Sequence, residues 1–157
     1  MSKKYEAEPY VFQADGHPIT VRYAPGDSTT GMFGGNSNWR GPVWMPINYL
    51  LIGSLRVYER YLGTSFQVEY PSGSGAQHDL GEVADSLTER LIALFLRDGD
   101  GRRPVFGDNT LLQQDPAWRD LILFHEYFNA DTGAGLGASH QTGWTGLVAD
   151  LIIRRRR

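Results

Sequence analysis

Two stretches of this chain hold the residue types that chemistry on a polyhydroxylated ligand needs. The first, Phe33-Gly34-Gly35-Asn36-Ser37-Asn38-Trp39-Arg40-Gly41-Pro42-Val43-Trp44, sets two indoles, a guanidinium and several amide and hydroxyl groups on a glycine-rich loop. That combination suits a sugar: an indole covers the C–H face of a pyranose, planar amide and guanidinium groups bond its hydroxyls, and glycines let the backbone come close. A well-packed turn whose tryptophans belong to the core would leave the same pattern. The second stretch is Leu121-Ile122-Leu123-Phe124-His125-Glu126-Tyr127-Phe128, an apolar and aromatic run that carries one glutamate. Burying a carboxylate is costly unless it is paired, so Glu126 is either neutralised by a partner such as Arg40 or kept for chemistry.

Other motifs are begun and not completed. His125-Glu126-Tyr127-Phe128-Asn129 starts like a zinc-protease helix, but the second ligand position holds Asn129, and His17, His78 and His140 sit at no ligand spacing. Asp98-Gly99-Asp100-Gly101-Arg102 puts Arg102 where a calcium loop wants a third oxygen ligand, and no glutamate closes it. Gly133-Ala134-Gly135-Leu136-Gly137-Ala138 fits a dinucleotide pattern but follows a predicted helix instead of a strand. No phosphate-binding G-K-[ST] loop and no G-x-S-x-G elbow occur. The expectation is a protein that uses neither metal nor cofactor.

With 157 residues the prior is one domain, residues 1–157, long enough to bury a core. Lys plus Arg number 15 against 18 Asp plus Glu, a net charge of -3 that gives no general attraction to nucleic acid or anionic lipid. Cysteine is absent, so disulfides and thiolate ligands are excluded. Neither a signal peptide nor an apolar run of roughly 18 residues is legible, and the expected location is the cytoplasm.

The positioning elements follow from periodicity and turn chemistry. Tyr10–Ala14 and Ile19–Tyr23 read as strands of a hairpin turning at Asp15-Gly16. Residues 24–41 read as a long ordered loop. Apolar residues then recur at three- and four-residue steps from Trp44 to Leu62, which predicts a helix opened by Pro42 and ended by Gly63. Asp79 caps a second predicted helix through Phe95. Asp115-Pro116 opens a third, running through Phe128 with Glu126 at its end, and Trp144 to Ile152 form a last one. The pattern reads as all-α, antiparallel helical hairpins with one small β-hairpin.

Three blocks in order, Phe33 to Leu51 with Asn38-Trp39-Arg40-Gly41-Pro42-Val43-Trp44-Met45-Pro46-Ile47-Asn48, then Trp118 to Phe128, then Gly135 to Thr145, resemble the C-terminal region of glycoside hydrolase family 63. That family includes processing α-glucosidases of the mannosyl-oligosaccharide glucosidase type and bacterial relatives acting on glucosylglycerate or mannosylglycerate. The resemblance implies an (α/α)6 toroid, of which this chain would be a part, and hydrolysis with inversion on an oligosaccharide or glycoside. Carried over residue by residue, it makes Glu126 the general base, Trp39 and Trp44 walls of the sugar pocket, and Gln141 a pocket residue; Arg40, Asn38 and Asn48 stand beside them. The family's general acid is an aspartate upstream of the aromatic loop, and none of Asp27, Asp79, Asp108 or Asp131 sits in such a motif. The chain therefore reads as the C-terminal part of a larger enzyme, with the N-terminal part of that enzyme as a partner.

Two other readings stay open: a non-catalytic carbohydrate-binding module, and a helical interaction scaffold in which Glu126 only pairs with Arg40. Under the first reading Trp39, Trp44, Glu126 and Gln141 are expected to converge. An incomplete toroid is also expected to leave apolar edges, at Ile47, Leu51, Leu55 and Tyr58 and near Leu147 and Leu151.

Overall fold

A computed structural model describes residues 3–37 and 39–155. Among them the expected hairpin forms as β1 (Tyr10–Ala14) and β2 (His17–Val21), antiparallel, with Asp15 and Gly16 both at positive φ in its turn. The long loop follows, containing a short 3₁₀ stretch at Met32–Ser37. Helix α1 (Met45–Leu62) starts after Trp44 and stops at Gly63. A small second hairpin, β3 (Gln67–Glu69) with β4 (Gln77–Asp79), leads into α2 (Leu80–Ala93). Asp79 caps α2 in a complete capping box: its carboxylate accepts from the Glu82 N–H at 2.8 Å, and the Glu82 carboxylate accepts from the Asp79 N–H at 3.1 Å.

Beyond α2 the architecture departs from the all-α expectation. The structure is 40% helix and 15% strand, with three two-stranded antiparallel sheets among the described residues, so it is mixed α and β and not a set of toroid hairpins. The predicted helix from Asp115 through Phe128 does not form. The short α3 (Thr110–Gln114) ends before it, and its place is taken by a turn at 116–120 and an extended run ending in β5 (Tyr127–Phe128), which pairs with β6 (Gly135–Leu136). The backbone hydrogen bonds explain the change. Gln141 N–H donates to Phe124 O at 2.7 Å and Glu126 N–H to Ala138 O at 2.9 Å, while Phe128 and Val43 exchange bonds of 2.9 and 2.8 Å. Every second residue of 124–128 thus finds a distant partner, which is strand chemistry and leaves no i to i−4 ladder. A short continuous apolar run is compatible with helix or strand, and here the length between turns favours strand.

The chain ends in the short α4 (Thr142–Thr145) and α5 (Leu147–Arg155). Helices α1, α2 and α5 contact one another around Met45, Ile52, Ala84, Leu91, Val148 and Leu151, and Phe128 is fully buried in the same cluster. Leu151 is buried, so the apolar edge expected there is closed, whereas Ile47, Leu51 and Tyr58 on α1 are exposed. Urea unfolding should rank these features: Phe128→Ala is expected to cost about 3–5 kcal/mol as a core truncation, against about 1 kcal/mol for removing the cap in Asp79→Ala. Equal losses would show that Phe128 is not central to the core.

Candidate active site

The loop bearing the tryptophans is fixed at its end by close backbone contact. Gly41 has φ +87°, and a Cβ there would lie 1.9 Å from Ala24 O, so only glycine lets the two loop segments touch. Two residues on, Val43 pairs with Phe128, and Trp44 becomes the extended N-cap of α1. The Trp44 ring then stacks on Tyr127 at 4.5 Å between centroids, with 28° between planes. Trp39 leans on Trp44 at 6.1 Å and on Trp144 at 6.1 Å, while Trp144 meets Trp44 edge-on at 6.4 Å. Trp44 and Tyr127 are buried beneath this group, and Trp39 stays 53% exposed as its outer plate. The indole N–H groups of Trp44 and Trp144 are buried with no hydrogen-bond partner among the described residues.

Glu126 precedes Tyr127 in the same extended run. It is half-buried, sits in the extended run and not at a helix end, and its Oε2 accepts from the Ala138 N–H at 3.3 Å. Gly137, at φ +67°, packs against both neighbours: a Cβ there would be 2.8 Å from Glu126 Oε2 and 2.6 Å from Tyr127 Cε1. The two side chains therefore flank one glycine. The Tyr127 hydroxyl donates to Asp27 Oδ1 at 2.6 Å. Burial first, then the Asp27 bond and charge, with a contribution from Glu126, push this phenol well above its ordinary range. His125, next door, is lowered by burial; its Nδ1 is buried without a partner among the described residues, and its carbonyl accepts from the Thr145 hydroxyl.

The other predicted residues fall in different places. Gln141 is exposed, and its carbonyl accepts from Trp144 and Thr145 one turn later, so it lies on the rim that carries Trp144. The Arg40 guanidinium stands over the Phe33 ring at 4.5 Å. Arg40, Trp44 and Tyr127 help line a cavity of about 100 Å³ together with Arg22, Ser28 and Thr30; Trp39, Glu126 and Gln141 are not among its walls. Asn48 turns its Nδ2 back to Trp44 O at 2.9 Å and lines a separate cavity of about 300 Å³ between α1, α2 and the turn at 130–133. Asn38 lies outside the described residues. Among those described, no group of three or more His, Asp or Glu could hold a metal ion, and no helix is long and apolar enough to cross a membrane.

Two of the curated proteins that the chain resembles are glucosidases. A probable mannosyl-oligosaccharide glucosidase of Schizosaccharomyces pombe is 30% identical over 118 residues, 75% of this chain and 11% of that protein. The mannosyl-oligosaccharide glucosidase of Saccharomyces cerevisiae is 29% identical over 123 residues, 78% of this chain and 12% of that protein. The chain is a distant relative of mannosyl-oligosaccharide glucosidases. An uncharacterized protein of Saccharomyces cerevisiae is nearer, 49% identical over 154 residues, 97% of this chain and 14% of that protein. The chain thus spans 11%, 12% and 14% of these three relatives. No protein-family model matches it, and no solved structure does.

Three neighbours of the predicted residues complete the arrangement and were not singled out from the sequence. Tyr127 and Trp144 could have been, being aromatic residues beside Glu126 and Gln141 in the glucosidase-like blocks. Asp27 entered only as an aspartate outside the family's acid motif, in the long loop at 24–41, where nothing local pairs it with Tyr127. The Asp27–Tyr127 bond gives a pH signature. An unfolded tyrosine loses its proton near 10.0 and folded Tyr127 keeps it to higher pH, so the pair's stabilisation is full below pH 10 and is lost as pH rises beyond it. Tyr127→Phe should therefore be less stable than the parent by about 1.5–3 kcal/mol at pH 7, and the gap should narrow above pH 10. A gap that stays constant in urea titrations at pH 7, 10 and 11 would contradict the assignment.

Proposed function

We propose that this chain forms part of the sugar-binding and catalytic region of an α-glucosidase-like hydrolase of the family 63 kind, acting with inversion on an α-linked, gluco-configured oligosaccharide. The observation that carries the reading is the nested group Trp39, Trp44, Trp144 and Tyr127 beside Glu126, in a chain distantly related to mannosyl-oligosaccharide glucosidases. Half-exposed Trp39 is the plate on which a pyranose ring stacks, and Gln141 supplies hydrogen bonds to hydroxyls from the rim that carries Trp144, while Arg40 faces the cavity it shares with Trp44 and Tyr127.

In this reading Glu126 is the general base. One carboxylate oxygen is held by the Ala138 N–H, and the other accepts a proton from water as that water attacks the anomeric carbon. The glycosidic C–O bond breaks on the opposite face, and the departing oxygen takes its proton from a general acid. In inverting enzymes the acid stands roughly 6.5–9.5 Å from the base. We assign that acid to another part of a longer polypeptide, of the size of the relatives. One observation favours a second reading, a non-catalytic carbohydrate-binding module: Asp27, the acid next to Tyr127, is occupied as the acceptor of the Tyr127 hydroxyl at 2.6 Å.

α-Glucosyl fluoride separates the two readings, because fluoride leaves without needing a proton from an acid. The 157-residue chain should release fluoride and yield the β-anomer, and Glu126→Gln should slow this by about 10²- to 10⁴-fold, the usual contribution of a general base. Tryptophan fluorescence should report saturable binding of α-linked glucose disaccharides over a β-linked control, with Trp39→Ala weakening it at least about tenfold, a loss of one stacking anchor. Selective binding without fluoride release would favour the binding module, and absence of both would sink the carbohydrate reading.

A further inference from the structure

A threonine in a helix usually turns its hydroxyl back on its own helix, as Thr88 does by donating to Ala84 O at 2.8 Å. Thr145, at the end of α4, does otherwise. It is fully buried, and its hydroxyl donates to the carbonyl of His125, 20 residues earlier in the chain. The carbonyl one turn back, Gln141 O, is already occupied by the N–H groups of Thr145 at 2.8 Å and Trp144 at 3.0 Å. No backbone N–H among the described residues reaches His125 O, so that carbonyl depends on the threonine.

We propose that Thr145 is a positioning residue for Glu126, fixing the peptide from which the carboxylate projects against the turn that carries Trp144. The inference rests on the general-base reading of Glu126. Its basis is that the His125–Glu126 peptide is held on both edges. A trans peptide is a rigid plane with its C=O and N–H on opposite edges. Here the C=O accepts from Thr145, and the N–H donates to Ala138 O at 2.9 Å. One bond would let the plane rock about the held edge, whereas two fix its tilt and with it the direction in which the Glu126 side chain leaves the backbone. Ala138 closes the arrangement, because its own N–H donates to Glu126 Oε2 at 3.3 Å. The bonds also form a row, from the Thr145 hydroxyl through the peptide to Ala138 O, and members of such a row polarise one another.

Thr145 sets the aromatic group relative to the carboxylate as well. Gln141, Trp144 and Thr145 belong to one turn, and that turn is pinned to the extended run at two successive carbonyls. Gln141 N–H donates to Phe124 O at 2.7 Å, and the Thr145 hydroxyl to His125 O. Trp144 lies between the pins and meets Trp39 and Trp44 at 6.1 and 6.4 Å. A sugar stacked on this group and a water held by Glu126 are thereby placed in one frame, where a misplacement of about 1 Å can cost about 10²-fold in rate. Being fully buried, Thr145 touches neither of them and acts through Glu126.

Thr145→Val keeps the shape and removes the donor. On α-glucosyl fluoride it should lower kcat about 10- to 10²-fold, while KM and the Kd of an α-linked glucose disaccharide, read by tryptophan fluorescence, stay within about twofold of the parent. Thr145→Ser, which keeps the hydroxyl, should bring kcat back to within about threefold. The binding stoichiometry counts folded molecules, so that lost protein is not mistaken for slow turnover. The bond has its own signature in the carbonyl-carbon NMR resonance of His125, which should move in the valine variant and return in the serine one. If Thr145→Val does not fold, Thr145→Cys, a weaker donor, should give a kcat between those of the parent and a tenfold loss. A valine variant as fast as the parent, a serine variant as slow as the valine one, or a Kd that weakens as much as kcat falls would overturn the positioning role. Fluoride release that is absent, or indifferent to Glu126→Gln, would remove the general-base reading and this role with it. Release that depends on Glu126 and not on Thr145 would overturn this role alone.

Discussion

The two backbone hydrogen bonds between Val43 and Phe128, 2.8 and 2.9 Å long, are the constraint on which the rest of the site depends. They join segments far apart in sequence: the end of the aromatic loop just before α1, and the end of the extended run that carries Glu126. Phe128 is fully buried, so parting the strands would leave a buried donor and acceptor without partners as well as emptying the core around the ring. The loop at 22–44 has little regular structure to hold it. Its position is set by this pair, by Ala130 N–H donating to Pro25 O at 2.8 Å, and by the Asp27–Tyr127 bond. Each of these ties the loop to residues 127–130, and ordering so many residues is costly unless several anchors act together.

That non-local dependence also explains which parts of the fold could be read from the sequence. The first hairpin is coded locally, because Asp15 and Gly16 are residues that tolerate the positive φ its turn demands. Helices α1 and α2 carry their own punctuation, with Gly63 ending one and the Asp79–Glu82 box starting the other. The run Leu121 to Phe128 has no such code. Its strand character comes from partners at Val43, Ala138 and Gln141, and with those partners unknown an opening Asp-Pro and a dense apolar run look like a helix. Trp118 and Leu121, which that helix would have carried, are about half exposed in the turn and extended run that replace it. The short β3–β4 hairpin escaped for a related reason: three residues per strand offer too little alternation to be seen.

The candidate site was legible to the extent that chemistry is written in residue type. Two tryptophans, an arginine and a glutamate in an apolar run stand out without any structure, and the fold sets Trp39 on Trp44 and Glu126 beside the tyrosine on which Trp44 stacks. Asn48 shows the limit of the argument from spacing. One helical turn after Trp44 it should have shared that residue's surroundings, yet its amide folds back on the Trp44 carbonyl and its other side opens to a different cavity. Spacing on a helix fixes which face a residue occupies, not whether its polar atoms remain available.

Two carboxylates stand near one phenol in this site, and their environments separate what each can do. Asp27 Oδ1 accepts a hydrogen bond of 2.6 Å from the Tyr127 hydroxyl, and burial together with that bond raises the phenol. An acid fixed in that way holds a ring in place, and the ring it holds is the one on which Trp44 stacks. Glu126 has a different setting: one loop N–H at 3.3 Å, a glycine pressed against it, and half-exposure. A base that must take a proton from water needs an oxygen that water can reach and a fixed direction in which to present it. Gly137 stands against that carboxylate: a Cβ there would lie 2.8 Å from its Oε2, so a larger residue would displace it. The same glycine stands against the Tyr127 ring, which Asp27 holds through its hydroxyl, so the aromatic floor and the carboxylate share one packing contact.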